Sequence, residues 1–569
     1  MLQICSGKLF KKEIQYRNNL RGVIYTNLRL FGDDKIDTAA GSLLPTSSLG
    51  ESNTIVYEIE ELIESSGQGP GVLISHGVDP YILDFSILLS FILNCTAYPS
   101  YTLTDRLLGG QRGISTHSRP NDVVKQVFDK VIYLQESDKE HLIEFTKHLI
   151  GLERSTYIGV MRAIRTYVTG IHRIADDFEL AYTLLVASIE SLAQDFDGHI
   201  SSWDDYDQSK RRIIDNALYS AEEAISENVR KAILSIEHSS LSRRFRDFSL
   251  QHITPEFFRE ESIGSINPIS KFDLTKALKN AYQARSQYIH NLKKLPDLLT
   301  THDSHSETCR IGNETWLTIQ GLSRLARHVL KNFIKSQLTV DSEEYDYSLE
   351  RAGVIQFPLA PQYWVGNTVI YEGSGSKKIE GFLSQLSGLM ENKPNATITD
   401  LKDLLSEVEI KIHELKKIDK RQYITLYLLF NGLLPEEQQM KNVDKFSSMF
   451  DKEFKDATSE ALLLNLLFNI ESPWDTTTQY DCLMNYFKNR DNKLNFRAPK
   501  VIEAGMILKL AERYRSDKDH NKAMELIAIA VENYPDHKSL REFEEDFKVN
   551  KSTIEWSKVL LPKNEDGDK

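Results

Sequence analysis

Between Ser270 and Pro296 the chain reads SKFDLTKALKNAYQARSQYIHNLKKLP, a single helix. Ser270 can cap its start and Pro296 closes its end. Leu274, Leu278, Ala281, Tyr282, Ile289 and Leu292 recur at three- and four-residue spacing, which makes one apolar stripe. Arg285 falls inside that stripe. A guanidinium facing a core is costly unless something pairs with it. Any fold that buries this helix must therefore supply a partner for the arginine. His290 follows five residues later, and Lys293 and Lys294 come soon after.

The length of 569 residues exceeds what one core can organise, so two to four domains are expected. Net charge is −13 and pI about 5.7, so any nucleic-acid contact must come from a local basic surface. Cys5, Cys95, Cys309 and Cys482 show no short spacing, which argues against a disulfide framework or a four-thiolate zinc site and fits a reducing cytosol. MLQICSGKLFKKE lacks an apolar run of signal-peptide length, and Tyr81–Cys95 carries Asp84 and is too short to span a bilayer. The expectation is a cytoplasmic protein with no membrane contact and a buried helix at Tyr81–Cys95.

The pattern divides into a multidomain, mainly α chain. Residues 1–125 read as an α/β domain, with strands at Arg21–Leu30, Thr54–Ile59 and Gly71–Ser75. Residues 126–338 read as a helical bundle. Its helices are expected around Tyr157–Ile171, Phe178–Leu192, Ser209–Asn228, Arg230–Glu237, Ser270–Pro296 and Trp316–Ile334. Phe178–Leu192 is apolar almost all round and hence central, with Glu190 the one charge of its second half. Residues 339–395 read as a mixed connector with strands at Val354–Phe357 and Thr368–Tyr371. Residues 396–563 read as a helical domain. Within 504–537, Ala523, Ile527, Ala530 and Pro535 stand where a tetratricopeptide repeat has its small, large, small and proline residues, a resemblance to one such unit. One repeat cannot bury its own faces, so preceding helices must stack on it. The tail after Lys563 reads as disordered.

An Arg, four residues, His spacing decides nothing alone. Arg112 and His117 share it, and Arg165 and His172 fit with six residues between. Arg112 sits in a Gly/Ser loop, and His172 at a frayed helix end. Arg285 and His290 lie within a strong helix, with Glu190 on another apolar helix to hold the arginine. Five residues turn a helix by roughly 500°, so the two side chains point roughly 140° apart. Arginine's length, a loosened helix end or a second copy of the chain could bring them to one phosphate. A purely structural Arg285–Glu190 ion pair with a surface His290 accounts for the same residues.

Other clusters are weaker. His302, Asp303, His305, Glu307 and Cys309 could bind zinc but read as a solvated loop. Arg243, Arg244 and Arg246 around Phe245 could line an RNA groove or form an ordinary solvated face. His76 reads as a turn residue. No glycine pattern marks a nucleotide site, and neither metal nor cofactor is expected.

FELAYTLLVASIESLAQDF and ALKNAYQARSQYIHNLKKLP together resemble the HEPN superfamily, most of all its ApeA-like branch, over about residues 150–338. The resemblance implies a metal-independent endoribonuclease, active as a homodimer, that leaves a 2′,3′-cyclic phosphate. It also implies a role in antiphage defence or as a toxin, answering to a protein trigger or phage component. Carried onto this sequence, Arg285 and His290 would be catalytic and Glu190 would orient Arg285; from the residues themselves, Lys293, Lys294, Arg243, Arg244 and Arg246 are the candidates to bind RNA. Ser286 stands where active members often have Asn, Asp or His. The chemistry suits these residue types. Histidine moves protons near neutral pH, and arginine stays charged and grips phosphate oxygens. The alternative is a non-catalytic dimerisation and protein-interaction module, favoured by Ser286 and the acidic net charge.

Overall fold

The computed structural model describes the chain apart from residues 31–34, 47–52, 66–74, 110–118, 197–202, 204–207, 237–240, 301–304, 352–354, 356 and 563–569. The protein is mainly helical, with a small antiparallel sheet near the N-terminus. It divides into two compact units, Met1–Ile355 and Gln356–Lys569.

In the first unit, β1 (Ile14–Thr26), β2 (Leu28–Arg29), β3 (Ile36–Thr38), β4 (Gly41–Pro45), β5 (Asn53–Glu64), β6 (Ala97–Tyr98) and β7 (Ile132–Tyr133) precede the bundle. The main sheet has the order β3-β4-β5-β1-β6, and Val23 faces Val56 in its longest pairing. β2 and β7 pair in parallel. Along β5, Ile55, Tyr57, Ile59, Glu61 and Ile63 alternate inward, the two-residue period of a half-buried strand. The expected strand at Gly71–Ser75 falls mostly outside the described residues.

The unit's main helices are α1 (Asp79–Leu93), α2 (Glu136–Gly151), α3 (Arg154–Arg173), α4 (Phe178–Phe196), α5 (Gln208–Ala217), α6 (Glu223–Ile236), α7 (Leu241–Gln251), α8 (Lys271–Asn291) and α9 (Ile319–Ser336). Sheet and bundle share one apolar core that runs without a break past residue 125. α4 packs against α3, α7, α8 and α9, and Ala181, Tyr182, Leu185, Val186, Ile189 and Leu192 are sealed from solvent.

Three expectations here need correction. Ser209–Asn228 is not one helix; it breaks between Ala217 and Glu223. Its apolar residues Ile213, Tyr219 and Ile225 are exposed, so no core holds a single long rod together. Trp316 is not helical either. It lies in a hairpin of β8 (Thr308–Ile311) and β9 (Glu314–Leu317), joined through Gly312 at φ +62°. α9 starts later, where the Thr318 hydroxyl accepts from the Gly321 amide at 3.2 Å. Finally, the stripe of α8 fades: Leu274, Leu278, Ala281 and Tyr282 are buried, but Ile289 and Leu292 are exposed.

The second unit contains α10 (Ser374–Met390), α11 (Lys417–Gly432), α12 (Ser459–Leu467), α13 (Lys500–Ser516), α14 (His520–Asn533) and α15 (Lys538–Asn550). The connector reading missed α10. Ile379, Phe382, Leu383 and Leu386 give it a buried face. The Asp419 carboxylate of α11 accepts from the amides of Gly373 and Gly375, which stabilises the helix start in place of a local cap. Thr368–Tyr371 forms no strand; Val369 and Tyr371 are exposed and have no strand to pair with among the described residues. In Val354–Phe357, Ile355 and Phe357 are outside any strand, and the other two positions lie outside the described residues. α13 packs on α14, with Ala523, Ile527 and Ala530 fully buried. The tail from 563 is outside the described residues. Among the described residues no helix is long and apolar enough to cross a membrane.

Two helical glycines test this packing in opposite directions. A Cβ on Gly321 would lie 2.2 Å from the Glu307 carbonyl oxygen, a backbone atom that cannot rotate away. Gly321→Ala is expected to destabilise the first unit by about 2 kcal/mol or more in urea unfolding, against helix propensity. A Cβ on Gly388 in α10 meets only Ala396 Cβ at 3.5 Å, so Gly388→Ala is expected to stabilise by up to ~1 kcal/mol.

Candidate active site in the helical bundle

α4 carries Glu190 into the middle of the bundle, where it is 3% exposed. A carboxylate so placed needs partners in every available direction. α8 supplies two. Tyr282 and Arg285, three residues apart, share one face of that helix. The Tyr282 hydroxyl donates to one Glu190 oxygen at 3.1 Å, and Arg285 Nη2 lies 2.7 Å from the other. The guanidinium carbon sits 5.7 Å from the Tyr282 ring centroid. α7 completes the support, because Phe245 is fully buried and packs against the Tyr282 ring at 5.6 Å. Burial, then the Glu190 charge, pushes the Tyr282 phenol well above its ordinary pKa, so it stays a donor.

The arginine is held but not sealed. Its side chain is 20% exposed, and Glu190 is its one ion-pair partner among the described residues. Nε is buried with no acceptor. Of the five N–H donors that a guanidinium offers, Glu190 engages one side only. Such a group can turn its remaining donors to an anion while the buried carboxylate fixes its position.

His290 lies on the last turn of α8, exposed to solvent. The helix stays regular through Asn291 and ends at Leu292 in the left-handed conformation, φ 50°. A loosened end therefore does not rotate His290 toward Arg285, and the divergence of roughly 140° expected of five helical residues persists. Lys293 and Lys294 are exposed just beyond, so the helix ends in a cluster of basic side chains.

The basic stretch on α7 is largely occupied. Arg243 Nε lies 3.2 Å from Asp247, and Arg246 pairs with the same carboxylate at 3.0 Å. Arg244 reaches across to the carbonyls of Ala193 and Gln194, at 3.2 and 2.7 Å, and satisfies the C-terminal turn of α4. It acts one turn past Glu190 as a brace.

The weaker clusters are dispersed. Arg165 pairs with buried Asp84 at 2.7 Å. His172 packs on Tyr98 at 5.8 Å, and burial followed by Arg173 lowers its pKa to about 4. Arg112 and His117 lie outside the described residues, as do His302 and Asp303. Glu307 is engaged by Arg324 through contacts of 2.5 and 2.7 Å, and His305 bonds the Asn121 carbonyl at 2.6 Å. Among the described residues no three His, Cys, Asp or Glu side chains stand close enough to hold a metal ion. His76 lies in an irregular stretch ahead of α1 rather than in a turn, and its amide donates to buried Glu61, which also accepts from Asn18, Ser75 and Tyr81. Sequence reasoning missed that hub, as it missed the bracing roles of Tyr282 and Phe245. Their apolar spacing reads only as core.

Comparison with family models, with curated proteins and with solved structures finds no match to this chain.

The pair and its brace make a graded prediction. Glu190→Ala leaves a largely buried guanidinium uncompensated and is expected to cost about 3–5 kcal/mol in urea unfolding. Tyr282→Phe keeps the ring and is expected to cost about 1 kcal/mol. Equal costs would mean that the charge pair does not govern the site.

Proposed function

We propose that the bundle of the first unit is HEPN-like and cleaves RNA without a metal. The observation that carries this reading is the Arg285 guanidinium, clamped by Glu190 and Tyr282 yet one-fifth exposed, ahead of an exposed histidine on the same helix. In the proposed reaction a 2′-hydroxyl loses its proton to an imidazole, and the 2′-oxygen attacks the adjacent phosphorus. The bond to the 5′-oxygen breaks, and that oxygen takes up a proton. The products are a 2′,3′-cyclic phosphate and a 5′-hydroxyl. His290 moves the protons. Arg285 stabilises the charge on the phosphoryl oxygens. Glu190 and Tyr282 hold Arg285 in place, and Lys293 and Lys294 hold the backbone of the strand.

Because Arg285 and His290 diverge along one helix, the reading places the reactive pair across a symmetric dimer. Ile289 and Leu292, exposed on either side of His290, give a second chain apolar surface to cover. The tetratricopeptide-like pair α13–α14 is assigned to protein recognition by fold analogy. Antiphage defence or toxicity in the cytoplasm, released by a protein trigger, is the matching role.

The second reading is a non-catalytic interaction module. It is favoured by the close Arg285–Glu190 contact, which explains the buried charge with no substrate.

The test uses purified protein, total RNA and excess EDTA. Cleavage with 2′,3′-cyclic phosphate ends is expected, and Arg285→Lys, which keeps a charge against Glu190, or His290→Ala is expected to reduce it at least about 10²-fold while dimer size and fold stay intact. Parental cleavage by both variants would sink the site assignment. No cleavage by the parent, with or without candidate triggers, would leave the interaction module as the answer.

A further inference from the structure

Away from Glu190 and Arg285, α9 presents a second concentration of charge. Arg324, Arg327 and Lys331 follow at three- and four-residue spacing and line a cavity of ≈ 540 Å³ with Lys125, Tyr167 and Glu261. Glu261 is the one carboxylate among the lining residues, and it lies 3.0 Å from Nδ1 of His328.

The three helical cations are compensated unequally. Arg324 is neutralised by Glu307 and lies over the Phe257 ring at 3.8 Å. Arg327 spends its donors on the carbonyls of Phe91 and Ile92, at 2.7 and 2.5 Å, where the last turn of α1 leaves acceptors free. No carboxylate stands within ion-pair distance of it among the described residues. Lys331 has neither a hydrogen bond nor an ion pair among the described residues, although it is largely withdrawn from water. Burial, then repulsion from Arg327 and Lys335, lowers its pKa to about 6. His141 nearby is lowered to about 4 by burial and then by Lys331, Lys335 and Arg327.

On one face of α9 the cavity gathers an arginine with no carboxylate partner and a largely buried lysine whose ammonium form burial disfavours. An anion in that space would stabilise the lysine's charged form. Phosphate matches best: with Nε and Nη2 of Arg327 committed to carbonyls, its Nη1 and the Lys331 amine are the donors left to grip it. The volume exceeds that of a bare ion and suits a small ester of nucleotide size. Tyr167 and the hydroxyls of Ser265 and Ser323 would meet its uncharged part. We propose that the cavity beneath α9 binds the phosphate group of a small molecule, with Lys331 and Arg327 as its principal ligands.

The experiment is thermal unfolding and calorimetric titration of the full chain at neutral pH. The probes are inorganic phosphate, adenosine 5′-monophosphate and adenosine. Either phosphate-bearing probe is expected to raise Tm by several degrees, and adenosine is expected not to. The relative affinities of the two probes separate a free-anion site from an ester site. Lys331→Met removes an uncompensated amine, so it is expected to unfold no earlier than the parent while binding phosphate at least about tenfold more weakly. Lys125→Ala, at the exposed rim, is expected to weaken binding less. His290→Ala, on an exposed turn of α8, is expected to bind phosphate as the parent does, which separates this site from the nuclease reading. No shift with either phosphate probe, or Lys331→Met affinity within about twofold of the parent, would overturn the proposal. Binding of single-stranded RNA that depends on Lys331, with no binding of the small probes, would overturn it as well.

Discussion

Glu190 is the constraint from which the bundle can be understood. α4 is surrounded by four other helices and is sealed along most of its length. A carboxylate in that position has lost its water, and the helices around it are arranged to answer it. Arg285 neutralises one oxygen, Tyr282 hydrogen-bonds the other, Phe245 fixes Tyr282, and Arg244 closes the end of α4. The first three are consequences of burying one charge, whereas Arg244 answers the free carbonyls of the helix end. The arginine, seen from the sequence as an anomaly in an apolar stripe, is the counterpart of an equal anomaly on its neighbour.

The fold was legible wherever periodicity was strong and local. The strand pair around Val23 and Val56, the buried helix after Tyr81, and helices α3, α4 and α8 all follow from patterns of two or of three and four. Legibility failed where distant groups decide the local structure. α10 begins at a Gly-Ser-Gly stretch that reads as punctuation, because its cap comes from Asp419, more than forty positions away in sequence. β9 was absorbed into α9 because Trp316 and Leu317 continue the helical spacing, and only the Gly312-Asn313 turn announces a hairpin. At the site, the opposition of Arg285 and Glu190 was readable from two charges in two apolar helices. The work of Tyr282 was not, since a tyrosine in a stripe looks like filling.

The chain's acidic balance conceals how its basic residues are deployed. Arg243 and Arg246 are paired to one aspartate, Arg244 and Arg327 serve backbone carbonyls, and Arg324 is locked to Glu307. Arginine is here chiefly a builder that closes helix ends and satisfies buried acids. Against that background, Lys331 in its cavity and Lys293 and Lys294 at the end of α8 stand out, with no ion pair among the described residues. A count of charges along the sequence weights all of these equally, whereas burial and partners do not.

The regular geometry of α8 through Asn291 has one more consequence. A rigid rod that holds two reactive groups on different sides cannot close a site by itself. Under the nuclease reading, output would follow the square of chain concentration at low abundance and become proportional to it once pairing saturates. The stiffness of about one and a half helical turns would then act as a concentration sensor, quiet in a cell with few copies and disproportionately active in one with many.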